Sequence, residues 1–257
     1  MVKGLDIFKE WFAAYADQYV FIGGTAATLA MQEAGLDFRA TKDLDIVLHV
    51  EALTPAFGAV FWKFIEAGGY AITQASDTGK PVFYRFQKPA DARYPAMIEL
   101  FARAPTGFQP VAGRQLTPIP LDEAVSSLSA ILLDDAYYAF ILAGKRELDG
   151  LPWVGEDRLI PLKAVAWLEL SARKAQGAHV DAKDVRKHLN DVFRLTQLLT
   201  PATRIPIDAK ISNDMRRFIA AVGTESTIDP KTLGLGNVTL AQLLARISQA
   251  YELGFKD

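Results

Sequence analysis

The chain has 257 residues and no cysteine. Disulfide bonds and thiolate metal sites are therefore excluded. The absence agrees with a reducing cytoplasm, and we expect a cytoplasmic protein. Residues 1–19 also lack the apolar core and small-residue cleavage site of a secretory signal peptide, because charged side chains occur throughout that stretch.

Neither sign of charge dominates, since 28 basic side chains stand against 30 acidic ones and the net charge is −2. This balance excludes a globally basic nucleic-acid-binding protein but leaves room for a local basic face. Long apolar runs are also missing. The most apolar later stretch, residues 124–144, is interrupted by Asp134 and Asp135, which favours a buried helix over a membrane span. We expect no membrane partner.

The β-type patterns are confined to the first half of the chain, and the pattern beyond about residue 121 is helical. A Pro-rich stretch over 105–120 predicts a surface excursion between the two halves. The predicted strands cover residues 19–22, 44–50, 70–75, 82–86 and 96–101. The predicted helices cover residues 5–17, 25–34, 55–67, 124–143, 161–176, 182–199, 208–222 and 240–253. We therefore predict an α+β protein, with an α/β domain over 1–120 and a helical domain over 121–257.

One segment of the first half carries recognisable chemistry. Gly23-Gly24-Thr25 lies between a short buried strand and a helix, and Asp43 and Asp45 stand two apart at the start of the next strand. Glycine permits a close backbone approach to phosphates, and the N-terminus of a helix supports it electrostatically. Carboxylates two apart in a strand point to the same face, where a cation such as Mg²⁺ offsets their repulsion.

Each half of this segment alone has an ordinary structural explanation. An isolated Asp-x-Asp is usually a pair of solvated loop residues, and an isolated Gly-Gly-Thr is usually a turn. Their occurrence in this order, with a helix between them and a strand after the aspartates, favours the catalytic interpretation.

The combination Gly23-Gly24-Thr25 with Arg39-x-Thr41-x-Asp43-x-Asp45 resembles the signature of the polymerase-β-like nucleotidyltransferases. It is most similar to the branch that includes the AbiEii and MenT toxins, in which the gap between glycines and aspartates is similarly long. The resemblance implies a nucleotidyltransferase-like mixed sheet with flanking helices, an NTP substrate and two Mg²⁺ ions. It also implies a third carboxylate on a neighbouring strand.

The best position for that third carboxylate is Glu99, flanked by Ile98 and Leu100 in strand alternation. The sequence has Glu rather than Asp at this point, and the alternative interpretation of Glu99 is an exposed strand residue. Catalysis and metal binding are thus assigned to Asp43, Asp45 and Glu99.

The helical half resembles the same branch through two lysine-containing helices. Lys163 and Lys187 are the candidates to contact triphosphate oxygens, and Asp191 is expected to orient a lysine or to help read the base. Lys187, Asp191 and Arg194 recur at i, i+4 and i+7, so a solvated helix face explains them equally well. The nucleotide-binding residues expected from the resemblance are Gly23, Gly24, Thr25, Arg39, Lys42, Lys163, Lys187 and Asp191.

The predicted activity is transfer of a nucleoside monophosphate from an NTP to a hydroxyl acceptor. Six cations within 22 residues favour an RNA acceptor such as a tRNA 3′ end, although acidic residues are interleaved with them: Arg173, Lys174, Lys183, Arg186, Lys187 and Arg194. The alternatives are a small-molecule nucleotidyltransferase of the antibiotic-modifying type and a nucleotide-binding module without catalysis. The resemblance also implies a toxin paired with an antitoxin.

Overall fold

A computed structural model describes residues 2–49, 52–72, 83–101, 134–223 and 228–254. The chain forms two compact units. The first comprises Met1–Leu133 and Leu142–Gly155, and the second comprises Asp134–Ile141 and Glu156–Asp257. The predicted boundary between residues 120 and 121 lies outside the described residues, as does the predicted Pro-rich excursion.

The first unit is built on a seven-stranded mixed sheet with the strand order β3-β4-β5-β2-β1-β7-β6. At the centre of the sheet, β2 pairs in parallel with β5 and antiparallel with β1. The strands are β1 (Tyr19–Phe21), β2 (Asp43–Leu48), β3 (Ala71–Ile72), β4 (Phe83–Gln87), β5 (Met97–Phe101), β6 (Lys145–Leu148) and β7 (Leu151–Val154). The helices of this part of the chain are α1 (Leu5–Phe12), α2 (Gly23–Glu33) and α3 (Pro55–Gly68).

An aromatic core covers one face of this sheet. Phe8 and Phe12 of α1 stack with ring centroids 4.2 Å apart, and Phe8 meets Phe21 of β1 edge to face. Phe64 of α3 contacts both α1 rings. Successive side chains of a strand point to opposite faces, so every second residue of the central strands joins this core. The remaining positions of the same strands face the other side of the sheet.

The second unit is helical. Its elements are α4 (Asp135–Ala143, whose last two residues belong to the first unit), α5 (Glu156–Ala175), α6 (Ala182–Leu195), α7 (Ala209–Gly223) and α8 (Leu240–Ala250). Trp167 of α5 meets Phe218 of α7 edge to face at 5.5 Å. Asp181 caps α6 through the Lys183 N–H, and Thr239 with Gln242 forms a capping box on α8. The α+β class is confirmed. Among the described residues, no helix has the length and apolar character that a membrane crossing requires.

The prediction that no strand follows residue 121 is wrong, because β6 and β7 form a hairpin at one edge of the sheet. The two turn residues, Asp149 and Gly150, have φ values of 52° and 76°. Positive φ at both positions is the geometry of a type I′ turn, which Asp-Gly favours. The dipeptide was the signal for this hairpin, but strands of four residues are too short to show a clear alternation.

The predicted start of a helix at Pro161 is also wrong, since α5 begins at Glu156 and contains Pro161 in its interior. Proline has no N–H, so the carbonyl of Asp157, four residues earlier, receives no hydrogen bond from position 161. The Tyr251 hydroxyl donates to that carbonyl at 2.9 Å. Burial raises the pKa of Tyr251, which keeps the hydroxyl protonated as a donor. A residue that follows α8 thus compensates for a proline in α5.

This compensation can be tested with a double-mutant cycle. Tyr251→Phe removes the hydroxyl and should lower the free energy of unfolding by about 1 kcal/mol. In a Pro161→Ala background the alanine N–H can donate to the Asp157 carbonyl, so Tyr251→Phe should lower the free energy of unfolding by a smaller amount. Chemical denaturation of the four variants measures the coupling. Equal costs of Tyr251→Phe in both backgrounds would contradict the compensation.

Candidate active site

The two aspartates of β2 lie on the sheet face opposite the aromatic core. Leu44 and Ile46 are fully buried, whereas Asp43 and Asp45 are partly exposed. Asp43 belongs to the strand itself, which begins one residue earlier than the sequence pattern predicts. The interpretation of Asp-x-Asp as two loop residues is therefore wrong. Both carboxylates project from a rigid strand at the centre of the sheet.

Asp45 lies directly against the first turn of α2. The Gly24 N–H donates a long hydrogen bond to Asp45 Oδ2 at 3.4 Å. Gly23 has a φ of +61°, and a Cβ at this position would overlap the Asp45 carboxylate. Glycine is therefore required at position 23 for two reasons: the backbone has a positive φ, and the carboxylate occupies the space that a side chain would need. The two glycines form the first turn of the helix rather than a turn before it.

The neighbouring motif residues converge on the same helix end. Thr25 is buried, and its hydroxyl donates to the Asp43 carbonyl at 2.9 Å. A Cβ on Gly24 would lie 2.8 Å from Thr41 Oγ1 and 3.6 Å from an Arg39 Nη atom. The segment 39–45 thus packs along the start of α2. The Thr25 hydroxyl is committed to holding β2, which leaves its backbone N–H as the group that could meet a phosphate.

Glu99 lies on β5 directly opposite Asp45 in the parallel pairing, so both project from the same face. Only 7% of Glu99 is exposed, which makes the exposed-strand interpretation wrong. The carboxylate is held by Arg85 of β4, whose position in the antiparallel pairing is opposite Glu99. Arg85 Nε donates to Glu99 Oε1 at 2.8 Å, and Arg85 Nη2 donates to the same oxygen. Sequence analysis missed Arg85, although alternation within β4 places it on this face.

The oxygen ligands that Mg²⁺ prefers are present on this face. Among the residues that the structure describes, however, no three Asp, Glu, His or Cys side chains are arranged to hold a metal ion together. Asp43 and Asp45 fit a divalent cation by their chemistry, their shared face and their partial exposure. Glu99 has the same chemistry, but its carboxylate lies against a guanidinium.

The predicted lysines occupy different surroundings. Lys42 is exposed beside β2. Lys163 and Asp191 belong to the helical unit, where Lys163 Nζ lies 2.9 Å from Asp191 Oδ2 and both side chains are buried. Lys187 is exposed on α6. The idea that Asp191 belongs to a solvated face is wrong, since none of it is exposed and it accepts a hydrogen bond from Lys163.

Comparisons with known proteins identify no family for this chain. No family model matches the sequence, and no curated protein matches it. Two solved structures from Helicobacter pylori are similar to it at 15% identity. One is a candidate nucleotidyltransferase, with a TM-score of 0.36 over 96% of this chain and 93% of the other. The second is JHP933, with a TM-score of 0.34 over 96% and 90%. Both TM-scores are low, so these likenesses assign neither a fold nor an activity.

The close approach of Gly23 to Asp45 predicts a specific cost of adding a methyl group. Gly23→Ala should lower the free energy of unfolding more than Gly35→Ala does. Gly35 also has a positive φ, +71°, but no atom lies within 4 Å of its Cβ position. The control should therefore lose only the conformational term of about 1–2 kcal/mol. Displacement of the carboxylate should add at least about 1 kcal/mol at Gly23.

A third variant separates the two contributions. Asp45→Ala removes the carboxylate, so it should recover most of the additional loss when combined with Gly23→Ala. Urea denaturation gives the unfolding free energies. If Gly23→Ala and Gly35→Ala are equally destabilising, the close approach is not a constraint.

The buried ion pair of the helical unit predicts that Lys163 supports stability. Lys163→Met leaves the Asp191 carboxylate buried, with Arg194 Nη1 3.8 Å from its other oxygen. Breaking such a pair costs about 3–5 kcal/mol, whereas replacing both partners by apolar side chains is much less costly. Lys163→Met should therefore lower the melting temperature strongly, and Lys163→Met with Asp191→Leu should recover part of the loss. Lys187→Met, the exposed control, should change it little. A melting temperature unaffected by Lys163→Met would contradict the pair's role.

Proposed function

We propose that this chain is a Mg²⁺-dependent nucleotidyltransferase that moves a nucleoside monophosphate from an NTP to a hydroxyl acceptor. The observation that carries the proposal is the hydrogen bond from the Gly24 N–H of α2 to Asp45, with Asp43 on the same face of β2. This arrangement puts a carboxylate pair beside the end of a helix that favours phosphate. The resemblance of the Gly-Gly-Thr and Arg-x-Thr-x-Asp-x-Asp motifs to the AbiEii and MenT branch supports the same activity.

The residues of this face divide the work of nucleotidyl transfer. Asp43 and Asp45 would hold Mg²⁺, which when bound polarises phosphoryl oxygens and offsets the charge that develops on the leaving pyrophosphate. Of the first N–H groups of α2, which lack acceptors within the helix, that of Gly24 donates to Asp45, and the others would donate to phosphate oxygens. Arg39, whose guanidinium lies near Gly24, would bind another phosphate oxygen.

The reaction itself needs positioning more than covalent participation by the protein. The acceptor oxygen forms a bond to the α-phosphorus, the bond from that phosphorus to the oxygen bridging to the β-phosphate breaks, and pyrophosphate leaves. The proton of the acceptor hydroxyl passes to a base or to water. A site of fixed carboxylates on a rigid strand suits this in-line displacement, because its charges need no rearrangement during the reaction.

The charge of the helical unit supports an RNA acceptor, such as a tRNA 3′ end. Lys174, Lys183, Arg186 and Lys187 are exposed near the end of α5 and along α6. Of the interleaved carboxylates, Asp191 is buried against Lys163 and does not offset this surface charge, whereas Asp181 and Asp184 are exposed and offset part of it. A basic surface of this kind attracts a phosphate backbone.

A small cationic acceptor, by contrast, requires an acidic pocket. A cavity of about 400 Å³ in the helical unit is lined by two cations, Lys174 and Arg186, and by one carboxylate, Asp229. This lining does not favour a cationic ligand. The exposed cations of α5 and α6 are the observation for which we choose an RNA acceptor over an antibiotic-type acceptor.

A nucleotide-binding module without catalysis is a second candidate, and one observation favours it. The Glu99 carboxylate is engaged by Arg85 rather than joined to the two aspartates. Such a module would bind NTP and Mg²⁺ without forming a product. Measurement of transfer separates the two candidates.

The proposed transfer depends on the aspartates of β2. Asp43→Asn and Asp45→Asn should each lower transfer at least about 10²-fold, because even the loss of an outer partner of a metal ligand costs about 10–100-fold. The melting temperature should be unchanged or slightly raised, since like-charge repulsion is relieved. Purified protein incubated with each labelled NTP, Mg²⁺ and total RNA gives the rate. Asp149→Asn is the matched control, because Asn-Gly suits the type I′ turn as well as Asp-Gly does. Near-normal transfer in either β2 variant would refute the proposal.

The same variants test a cellular role. We propose that the chain is a toxin that modifies RNA and is held in check by an antitoxin, as its resemblance to the AbiEii and MenT branch implies. Expression of the wild type in a bacterium should arrest growth and leave added nucleotides on tRNA 3′ ends, and Asp45→Asn should do neither. Identical growth of the two strains would reject the toxin role and leave the transfer activity to be judged by the assay above.

A further inference from the structure

Three charged side chains form one row across the centre of the sheet. Asp45 of β2 lies opposite Glu99 of β5, which in turn lies opposite Arg85 of β4. Neighbouring strands are about 4.8 Å apart, so each member of the row is the lateral neighbour of the next. The row occupies the face that carries Asp43. The proposed metal site therefore has a guanidinium within its own row of side chains.

Arg85 is a permanent cation, since a guanidinium does not lose its proton in proteins. Arg85 Nε and Nη2 both donate to Glu99 Oε1, and Glu99 is almost entirely buried. A partly buried pair of this kind is weakly screened by solvent, and separating it would leave a buried carboxylate without its counter-charge. Glu99 is consequently neutralised by a residue of the chain itself.

We propose that Arg85 keeps Glu99 out of the metal site, so that the chain binds divalent cations through Asp43 and Asp45 as a two-carboxylate site. The inference rests on the proposed function and revises the sequence-based expectation that Glu99 is a third metal ligand. Two features support it. Glu99 forms no three-residue metal-binding group with the aspartates within the described part of the chain. The Arg85 charge also repels a second cation at the position that a third carboxylate would serve.

Arg85 thus acts as a positioning residue that sets how strongly the free protein binds metal. Removing its charge should free Glu99 and eliminate a repulsive charge near the site. Both effects strengthen divalent-cation binding. Removing Glu99 alone leaves the Arg85 charge without its counter-charge, so divalent-cation binding should weaken for that reason even though Glu99 is not a ligand. The contribution of Glu99 to metal affinity therefore depends on whether Arg85 is present.

Calorimetric titration of the full chain with Mn²⁺, without NTP, tests this dependence. Arg85→Gln should tighten Mn²⁺ binding about 10-fold, the effect of roughly one unit charge near the ion at an effective dielectric constant of about 20. Glu99→Gln alone should weaken binding by up to about 10-fold, because it leaves the Arg85 charge uncompensated. The double variant Arg85→Gln with Glu99→Gln removes the ion pair without changing the net charge, so its affinity should stay within about 3-fold of the wild type. Arg93→Gln is the control for net charge. Arg93 is exposed and pairs with Asp91, away from this row, so its substitution should leave the affinity unchanged.

The possible results are distinct. A 10-fold or larger loss of affinity in the double variant, relative to the wild type, would show that Glu99 is already a ligand and would overturn the inference, even if Arg85→Gln alone does not fold. Unchanged affinity in a folded Arg85→Gln would also overturn it. Transfer by the wild type accompanied by either result would leave the proposed function standing. Absence of Mn²⁺ binding in the wild type would instead refute the two-aspartate metal site, and the inference with it.

Discussion

The candidate site depends on the close approach of a helix end to a carboxylate. Gly23 allows the first turn of α2 to lie against Asp45, because any side chain at this position would overlap the carboxylate. The Gly24 N–H then donates to Asp45, and the Thr25 hydroxyl donates to the backbone of Asp43. These contacts join α2 to β2 at the point where the two acidic side chains leave the sheet. The Gly-Gly-Thr motif therefore holds β2 against the first turn of α2, in addition to the phosphate-binding role that we propose for it.

The aromatic core and the candidate site lie on opposite faces of the sheet. On one face, rings from α1, β1 and α3 form a continuous aromatic core. On the other, Asp43, Asp45 and Glu99 project from β2 and β5, beside buried apolar residues such as Val47. Burial of the aromatic core stabilises the fold and offsets the repulsion between the two nearby aspartates, because apolar burial is the dominant favourable term in folding. Strand alternation alone decides which residues belong to which face.

Charged residues that share a motif are used in different ways by this fold. Lys163 and Asp191 neutralise each other in the interior of the helical unit, whereas Lys187 remains exposed on the same helix as Asp191. Glu99 is likewise matched by Arg85. A buried ion is costly unless a counter-charge accompanies it, so a charge in the sequence indicates a site only after its partner is known. The two ion pairs therefore show which of these charged groups already have a partner within the protein.

Much of the architecture could be predicted from local patterns. The alternation from Asp43 to Leu48 predicted that Leu44 and Ile46 are buried on the face opposite the aspartates. The apolar periodicity predicted helices over 182–199 and 240–253, which the structure shows as Ala182–Leu195 and Leu240–Ala250. Both kinds of signal arise within one element. The β6–β7 hairpin and the start of α5 required more. The first depended on a two-residue turn, and the second on the Tyr251 hydroxyl, which comes from a distant part of the sequence.

The sequence by itself determined the α+β class and the residue types of a candidate nucleotidyltransferase site. Only the tertiary structure decided that Asp45 lies against α2, that Glu99 is paired with Arg85 and that Lys163 is buried with Asp191. Each of these facts concerns residues that are distant in sequence and meet only when the chain folds. Hydrophobic periodicity reports which face of an element is buried, but the partner of a charged group is chosen by the register of strands and the packing of helices.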